Sequence, residues 1–462
     1  MMLLNAITKP WTGDAETPVS AYAKVCSEER TAYLFESAER FQGIGRYSVV
    51  AWDPLACISL SHNGVEIVTP RGSSMRAAHT FFDEARKLMG EIRVIGLPEF
   101  PVVGSLAGFV GYDAVRLIEK LKKPLPSGCP VAHVCYFSRF VVFDHFSGTI
   151  TLCAAAESHA KCIAKIDAIE KALSCSPALQ IGNGSLSVRY PPKDRFLTAV
   201  HRAKEHIEAG DIFQVVLSDQ IQGETKTHAL LIYQWMKRLN PSPYMFFLRH
   251  GDLQLVGASP ETLVKVENGK VVIKPIAGTS GRSTDPVEDN RLENELRASA
   301  KERAEHIMLV DLARNDASKV CEYGSIEVHP YMAVERFSHV MHIVSRVTGR
   351  LRADADVWDA FMAAFPAGTV SGAPKVRAME IIDDLEPDYR GPYGGAVGYW
   401  GPGPTMDTCI AIRMIRFHGN QFIVQAGAGI VADSSPESEY EEIMKKSAHA
   451  IASLSAGSGG MA

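Results

Sequence analysis

The sequence predicts an α+β fold, and three observations carry that prediction. Short apolar-polar alternations run into two-residue turns, as in "TLVKVENGKVVIK" (262–274) and "CIAIRMIRFHGNQFIVQAGAGIV" (409–431). Segments with helical spacing fall between and after these hairpins. Strands and helices do not alternate one for one, as a parallel βαβ sheet would require.

The 462 residues suggest two or three structural units, although one large sheet domain could absorb them. A chain of this length buries a full core without cross-links. The formal net charge of −5 leaves no footprint for a nucleic-acid partner. No apolar run reaches the roughly 18 residues that span a bilayer, so no membrane partner is expected. The opening "MMLLNAITKPWTGDAETP" is too polar after Ile7 for a signal peptide. Nine cysteines without a Cys-x-x-Cys pair argue against zinc and against a disulfide framework. They fit a reducing cytoplasm, with each cysteine a small buried apolar residue.

Residues 1–180 read as an N-terminal region of short strands with two helical patterns. "SRFVVFDHFSGTITLCAA" is a hairpin turning within Asp144 to Gly148, and "SHAKCIAKIDAIEKALS" is a helix. The Gly-, Ser- and Pro-rich residues 176–194 read as a linker. The second region, 195–455, opens with "FLTAVHRAKEHIEAGDIFQVVLS", a helix running through Gly210-Asp211 into a strand.

Two-residue turns fix register. Asn268-Gly269 suits a type I′ turn, so Glu267 pairs with Lys270 and Glu261 is expected opposite Ile276, beside "PIAGT" (275–279). Pairing His418 with Gln421 puts Arg413 opposite Ala426, next to Gly427, Ala428 and Gly429. Glycine at such strand ends permits close backbone approach to an anion, and Arg413 adds a planar fork for a carboxylate. Ordinary hairpins with bulge glycines would also fit. In "AKERAEHIMLVDLARND", Glu302 and Glu305 share a helical face. In "SSPESEYEEIMKKSAHAIASL", Ser435 suits an N-cap and Pro436 the first turn. There Glu439 and Glu442 share a face, with Lys446 one turn on. Clustered carboxylates suit Mg²⁺, while each pair alone also fits a solvated helix face.

Taken in order, "PIAGT", "EHIMLVDLARND", "VMHIVSRVTG", "FPAGTVSGAPKVRAMEII", "YGGAVGYW", "DTCIAIR", "QAGAGIVADSSPESEYEE" and Lys446 make the chain resemble the chorismate-utilising enzymes. The likeness is strongest to their anthranilate-forming large subunits and covers about 195–450. It implies a sandwich of two antiparallel sheets with helices outside. It implies chorismate contacts from Gly278, Thr279, Tyr399, Arg413, the Gly427–Gly429 backbone and Lys446. Glu305 and Glu442 would hold Mg²⁺, with Glu302 and Glu439 as further acidic positions. The aminodeoxychorismate-forming relatives carry a lysine nucleophile where this chain has Ala277. The isochorismate- and salicylate-forming relatives carry a lysine base where it has Gln214. A methyl group cannot attack, and an amide cannot activate water, so ammonia becomes the expected nucleophile.

The implied activity is addition of ammonia at C2 of chorismate, with Glu261 protonating the departing C4 hydroxyl. Loss of pyruvate assisted by His342 then gives anthranilate, the first step of tryptophan biosynthesis. His339 lacks the motif position and reads as structural. "LFESAE" and "NPSPYMFF" resemble the paired motifs of a feedback tryptophan site, which places Ser37, Pro243, Tyr244 and Met245 there. The chain lacks a Gly-x-Cys-x-Gly elbow, so ammonia from glutamine would need a separate amidotransferase subunit and a hetero-oligomer. The family usually has Ser-Arg where this chain has Ser218-Asp219, a charge reversal near Gln214. Alternatives are an aminodeoxychorismate synthase large subunit and a non-catalytic chorismate- or tryptophan-binding sensor.

Overall fold

A computed structural model describes residues 2–13, 16–37, 45–96, 100–176, 184–336 and 340–459. Two long strands, Tyr47–Ser61 and Ala132–Asp144, pair along their whole length and organise the rest. A bulge at Pro54–Ala56, beside Asp53 with φ 59°, bends the first of them. On one side of the bend, Ala32–Phe35 pair with Val49–Trp52; on the other, Val65–Val68 pair with Cys57–Leu60. The pair therefore belongs to two sheets at once.

The first sheet continues from Thr31–Glu36 through Tyr244–His250, Leu253–Ser259, Met414–His418 and Gln421–Ile430 to Gln214–Thr225. The second runs from Leu106–Val110 through Ala396–Gly401, Thr405–Ile410 and Thr262–Glu267 to Lys270–Ile273 and Val347–Arg350. Alternation sorts the side chains into layers. Val49, Ala51, Phe246, Leu248, Phe109 and Val397 meet between the sheets. Val50, Trp52, Phe247 and Val256 face outward onto helices Pro18–Val25, His159–Leu173, Ala229–Leu239 and Pro436–Gly457. Val264, Val266 and Trp400 face the opposite helical layer, through residues such as Phe81, Trp358 and Ala378.

The result is the expected sandwich of antiparallel sheets. Several details differ from the sequence reading. Among its described residues the N-terminal region holds three α-helices, because Pro18–Val25 joins Phe81–Glu91 and His159–Leu173. The 176–194 stretch is not all linker: Leu186–Arg189 is a strand on Gln222–Thr225, and a helix begins at Lys193. Residues 177–183 lie outside the described residues, as does His339. The opening residues form the strand Met2–Trp11, antiparallel to Thr149–Ala156. Sheet ladders also cross the line between the two regions, at Thr31–Glu36 with Tyr244–His250 and at Leu106–Val110 with Ala396–Gly401. Cys57 and Cys135 sit directly opposite one another and are disulfide-bonded, against the expectation of isolated apolar cysteines. Among the described residues no helix is long and apolar enough to cross a membrane.

Candidate active site

The 262–274 hairpin forms in the expected register, Glu267 with Lys270, around Asn268 and Gly269 at φ 52° and 76°. The further extrapolation fails. The ladder ends at Lys265 and Val272, the chain turns at Lys274-Pro275, and Ile276–Gly281 joins a separate three-stranded sheet with Val340–Val344 and Ala333–Arg336. Proline cannot continue a ladder as a donor, so the strand breaks there. Glu261 is thus not paired with Ile276; the partner of Ile276 is Val344. In the same way Arg413 is not in the 414–430 ladder. It sits at φ 52° just before Met414, and Ala426 pairs with Asp219 instead.

The new sheet explains the bare strand end. A bulge falls between Ala277 and Thr279, with Gly278 at φ 69°. That conformation favours glycine. A Cβ on Gly278 would stand 3.2 Å from Glu302 Oε2 and 3.3 Å from Leu296 and Ile343. The bulge pairs Thr279 with His342 and turns the Gly278 carbonyl onto the imidazole. His342 Nδ1 lies 3.0 Å from Gly278 O and 3.1 Å from Thr279 Oγ1. A carbonyl only accepts, so Nδ1 carries the proton and Nε2 keeps its lone pair. Desolvation holds the His342 pKa below the ordinary value, partly offset by the Gly278 contact, with Arg413 lowering it further. His342 is therefore a neutral base near pH 7.

Glu261 follows the strand Leu253–Ser259 and borders a cavity with Thr369, Pro275 and Asp316. Thr369 Oγ1 donates to Glu261 Oε1 at 3.0 Å. Desolvation pushes the carboxyl up to about 7, against the lowering effects of Thr369 and Lys446. A carboxyl half-protonated near neutrality suits a general acid.

Glycines again allow the close packing opposite. Gly427 and Gly429 point to one face of their strand, while the Ala428 side chain is buried in the helix-facing core, so only its backbone is available. A Cβ on Gly427 would stand 2.9 Å from Tyr393 Oη, and one on Gly429 only 2.4 Å from Gln214 Nε2. Lys446 Nζ donates to Gly427 O at 2.9 Å and pairs with Glu442 at 2.5 Å. Arg413 Nη1 donates to Lys446 O at 2.9 Å. The Gln214 Oε1 atom is buried and has no hydrogen-bond partner among the described residues.

Helices Ala300–Ser318 and Pro436–Gly457 carry the four acids, and Glu305 on the first interacts electrostatically with Glu442 on the second. The Glu305 pKa is raised by desolvation, then by Glu302 and Glu442; that of Glu439 is raised by desolvation and Glu442. Lys301 and Lys446 only partly counter this. An all-oxygen set short of positive charge fits Mg²⁺. Among the described residues no three of the four place ligand oxygens within 4.8 Å of one another.

Tyr399 is the misplaced assignment. It pairs with Asp407 and Ala107 and packs in the inter-sheet layer with Tyr244 and Phe35, away from the glycines. Tyr393, the other tyrosine of "YGGAVGYW", stands against Gly427 and is coupled electrostatically to Arg413. The motif held both rings, and only the fold separates them. Thr369, within "FPAGTVSGAPK", was also missed; its sole signal was its place in that motif. Asp219 lies on the strand face opposite Gln214 and is paired with Arg195.

In the region of the paired "LFES" and "NPSPYMFF" motifs, Glu36 pairs with Met245, so the next step sets Ser37 beside Tyr244. Pro243 immediately precedes that strand. Tyr244 faces the inter-sheet layer, and its hydroxyl lies 2.9 Å from both Asp407 Oδ1 and Thr262 Oγ1. The Met245 side chain points the other way, into the helix-facing core, so a cleft could use only its backbone.

A sandwich whose strand-end glycines face an acid, an imidazole and a guanidinium is the architecture of a chorismate enzyme. The chain belongs to the chorismate binding enzyme family, whose model matches residues 30–452. It is 39% identical over 461 residues to anthranilate synthase component 1 of Acetivibrio thermocellus, covering 95% of this chain and 93% of that one. Identity to the component 1 of Streptomyces coelicolor is 42%, over 94% and 86%. The crystal structure of anthranilate synthase component I from Streptococcus pneumoniae superposes with a TM-score of 0.79 at 33% identity, covering 95% and 98%. The Escherichia coli isochorismate synthase MenF, at 20% identity and a TM-score of 0.75, shares the fold.

Proposed function

We propose that the chain is the large subunit of an anthranilate synthase, converting chorismate and ammonia to anthranilate and pyruvate. The observation that carries this reading is the pair Ala277 and Gln214. Neither of these two positions offers a nucleophile or a base for water, while Gln214 Oε1 is a buried acceptor without a partner among the described residues. Ammonia has N–H groups to give such an acceptor and needs no deprotonation to attack.

Arg413 and the Gly427–Gly429 backbone would hold the substrate carboxylates, and Gly278 and Thr279 would border the ring. Glu305 and Glu442, backed by Glu302 and Glu439, would hold Mg²⁺, a hard cation that neutralises a substrate carboxylate. Ammonia adds at C2 as Glu261 delivers its proton to the C4 hydroxyl, which leaves as water. The product of this half-reaction is aminodeoxyisochorismate. The Nε2 lone pair of His342 then assists removal of the C2 proton, the enolpyruvyl group departs as pyruvate, and the ring becomes aromatic. A separate amidotransferase subunit supplies ammonia from glutamine. Tryptophan acts as feedback inhibitor in the cleft near Ser37, Pro243 and Tyr244.

The test incubates the purified chain with chorismate, Mg²⁺ and ammonium and follows anthranilate fluorescence and pyruvate release. Both should appear in equal amounts. An amino product without pyruvate would indicate an aminodeoxychorismate synthase, and no turnover would indicate a binding protein.

A further inference from the structure

Between the sheets, far from the strand-end glycines, lies a cluster that the chemistry above does not use. Cys57 and Cys135 are directly opposed across the two long strands, Cα atoms 4.1 Å apart. His133, two residues before Cys135 on the same face, places Nε2 3.2 Å from Cys135 Sγ. The other ring nitrogen, Nδ1, is 2.8 Å from Ser59 Oγ. With Nδ1–H donating to that hydroxyl, Nε2 is a proton acceptor aimed at the sulfur. His133 stacks on His250 at 3.6 Å, and burial and His250 together keep it neutral. Cys135 is fully buried, whereas Cys57 is partly exposed. The pair therefore has one thiol that a small reagent can reach and one resolving thiol beside a base. The other seven cysteines are unbonded.

The same register row continues across the second sheet. Cys135 is opposite Ala107, Ala107 opposite Tyr399, and Tyr399 opposite Asp407, which holds the Tyr244 hydroxyl. Directly opposed residues share a face, so the whole row looks into the layer that holds Tyr244 and Phe35.

We propose that Cys57, Cys135 and His133 form a reversible thiol–disulfide site, driven by low-molecular-weight disulfides and thiols, whose state tunes the effector cleft at Tyr244. The second half of this rests on the tryptophan reading above. In oxidation, the Cys57 thiolate attacks an external disulfide, forming a mixed disulfide and releasing one thiol. His133 Nε2 then takes the Cys135 proton. The Cys135 sulfur attacks Cys57 Sγ, closing the bond and releasing the second thiol, which takes up that proton. Two protein thiols are oxidised and one external disulfide is reduced. The closed bond fixes one end of the row. A cleft with less freedom to lose binds more tightly.

The experiment equilibrates the whole chain in glutathione buffers of graded ratio, alkylates it, and maps Cys57 and Cys135 by mass spectrometry. Tryptophan binding is then measured calorimetrically on fully oxidised and fully reduced protein, with Cys57→Ala as a locked-open control. Cys57 and Cys135 should lose alkylation together in one two-electron step. The oxidised form should bind tryptophan on the order of fivefold more tightly than the reduced form. Cys57→Ala should bind like the reduced form under every buffer. A second variant, His133→Gln, should slow bond closure while leaving the final ratio nearly unchanged. A pair that stays reduced throughout, or stays bonded in excess reduced glutathione, overturns the site. Equal affinity in the two states overturns the coupling. No binding in either state overturns the effector reading itself, with the coupling, whatever the alkylation map shows.

Discussion

Glu261 and His342 are tuned in opposite senses by the same cause. Desolvation disfavours charge, so it raises the acid to about 7 and lowers the base. The enzyme should therefore work between two limits. Below the His342 pKa the imidazole is protonated and elimination slows; above about 7 Glu261 loses the proton it must give. The pH profile of anthranilate formation should be a narrow bell, and Thr369→Val should move its alkaline limb to higher pH, because the Thr369 bond lowers the Glu261 pKa. Glu261→Gln should lose about 10²–10⁴-fold in turnover, and chorismate should remain unconsumed. His342→Met should consume chorismate but accumulate aminodeoxyisochorismate, seen by chromatography. Equal blockage of both steps by His342→Met would make His342 a positioning residue only. Stability carries a separate signature. The folded pKa of Glu261 lies above the ordinary 4.5. Its contribution is complete below 4.5 and is lost as pH rises through about 7. Glu261→Gln should accordingly flatten the fall in melting temperature across that window.

At the scale of elements, the strand Ile276–Gly281 shows what sequence can and cannot fix. Asn268-Gly269 announced its hairpin, and the structure keeps that register. Local turn chemistry is legible because its cause is local. The pairing of Ile276 with Val344 joins segments almost seventy residues apart, and nothing near Pro275 encodes it. The local ladder does not extend past the proline to pair Glu261, nor back to Arg413 in the second hairpin. The helix pairs Glu302/Glu305 and Glu439/Glu442 were legible as faces, and Ser435-Pro436 as a helix start. Their meeting was legible only through the family resemblance. Tyr393 and Tyr399 could not be told apart, since six residues on one motif gain opposite surroundings only when the strand Ala396–Gly401 takes its place in the sheet. The bulge makes a prediction of its own. Gly278→Ala must hold φ near 69° and press a methyl group against Glu302, Leu296 and Ile343. The strain should cost about 1–2 kcal/mol, read by denaturant titration. It should also displace the His342 carbonyl contact, so turnover should fall further than stability alone explains. An Ala variant with native stability and turnover would mean the positive φ is not required.

For the whole molecule, the question is how a cleft between the sheets could govern a site at the strand ends. The structure offers a short route. Tyr244 pairs with Ser259 across the strands Tyr244–His250 and Leu253–Ser259, two residues before Glu261. Its hydroxyl is also 2.9 Å from Thr262 Oγ1, the residue after Glu261. Next to this, Ala258 N donates to Arg413 O at 3.1 Å, tying the same strand to the Arg413 backbone. The strand Leu253–Ser259 therefore holds Tyr244 and Arg413 and leads directly into Glu261, the proposed acid, and Thr262. An indole that pulls Tyr244 would move Thr262, and Glu261 between them could not stay on Thr369. If this is the route, removing one hydroxyl cuts it. Thr262→Val keeps the shape and removes the hydroxyl. Tryptophan should still bind within about threefold of the parent affinity, by calorimetry. Its inhibition should weaken much more, because the coupling free energy, typically 1–3 kcal/mol, is what the substitution removes. Ser37→Arg should behave differently, losing binding and inhibition together by filling the cleft. If Thr262→Val is inhibited as strongly as the parent, coupling passes elsewhere, and the inter-sheet row through Asp407 and Tyr399 becomes the remaining path.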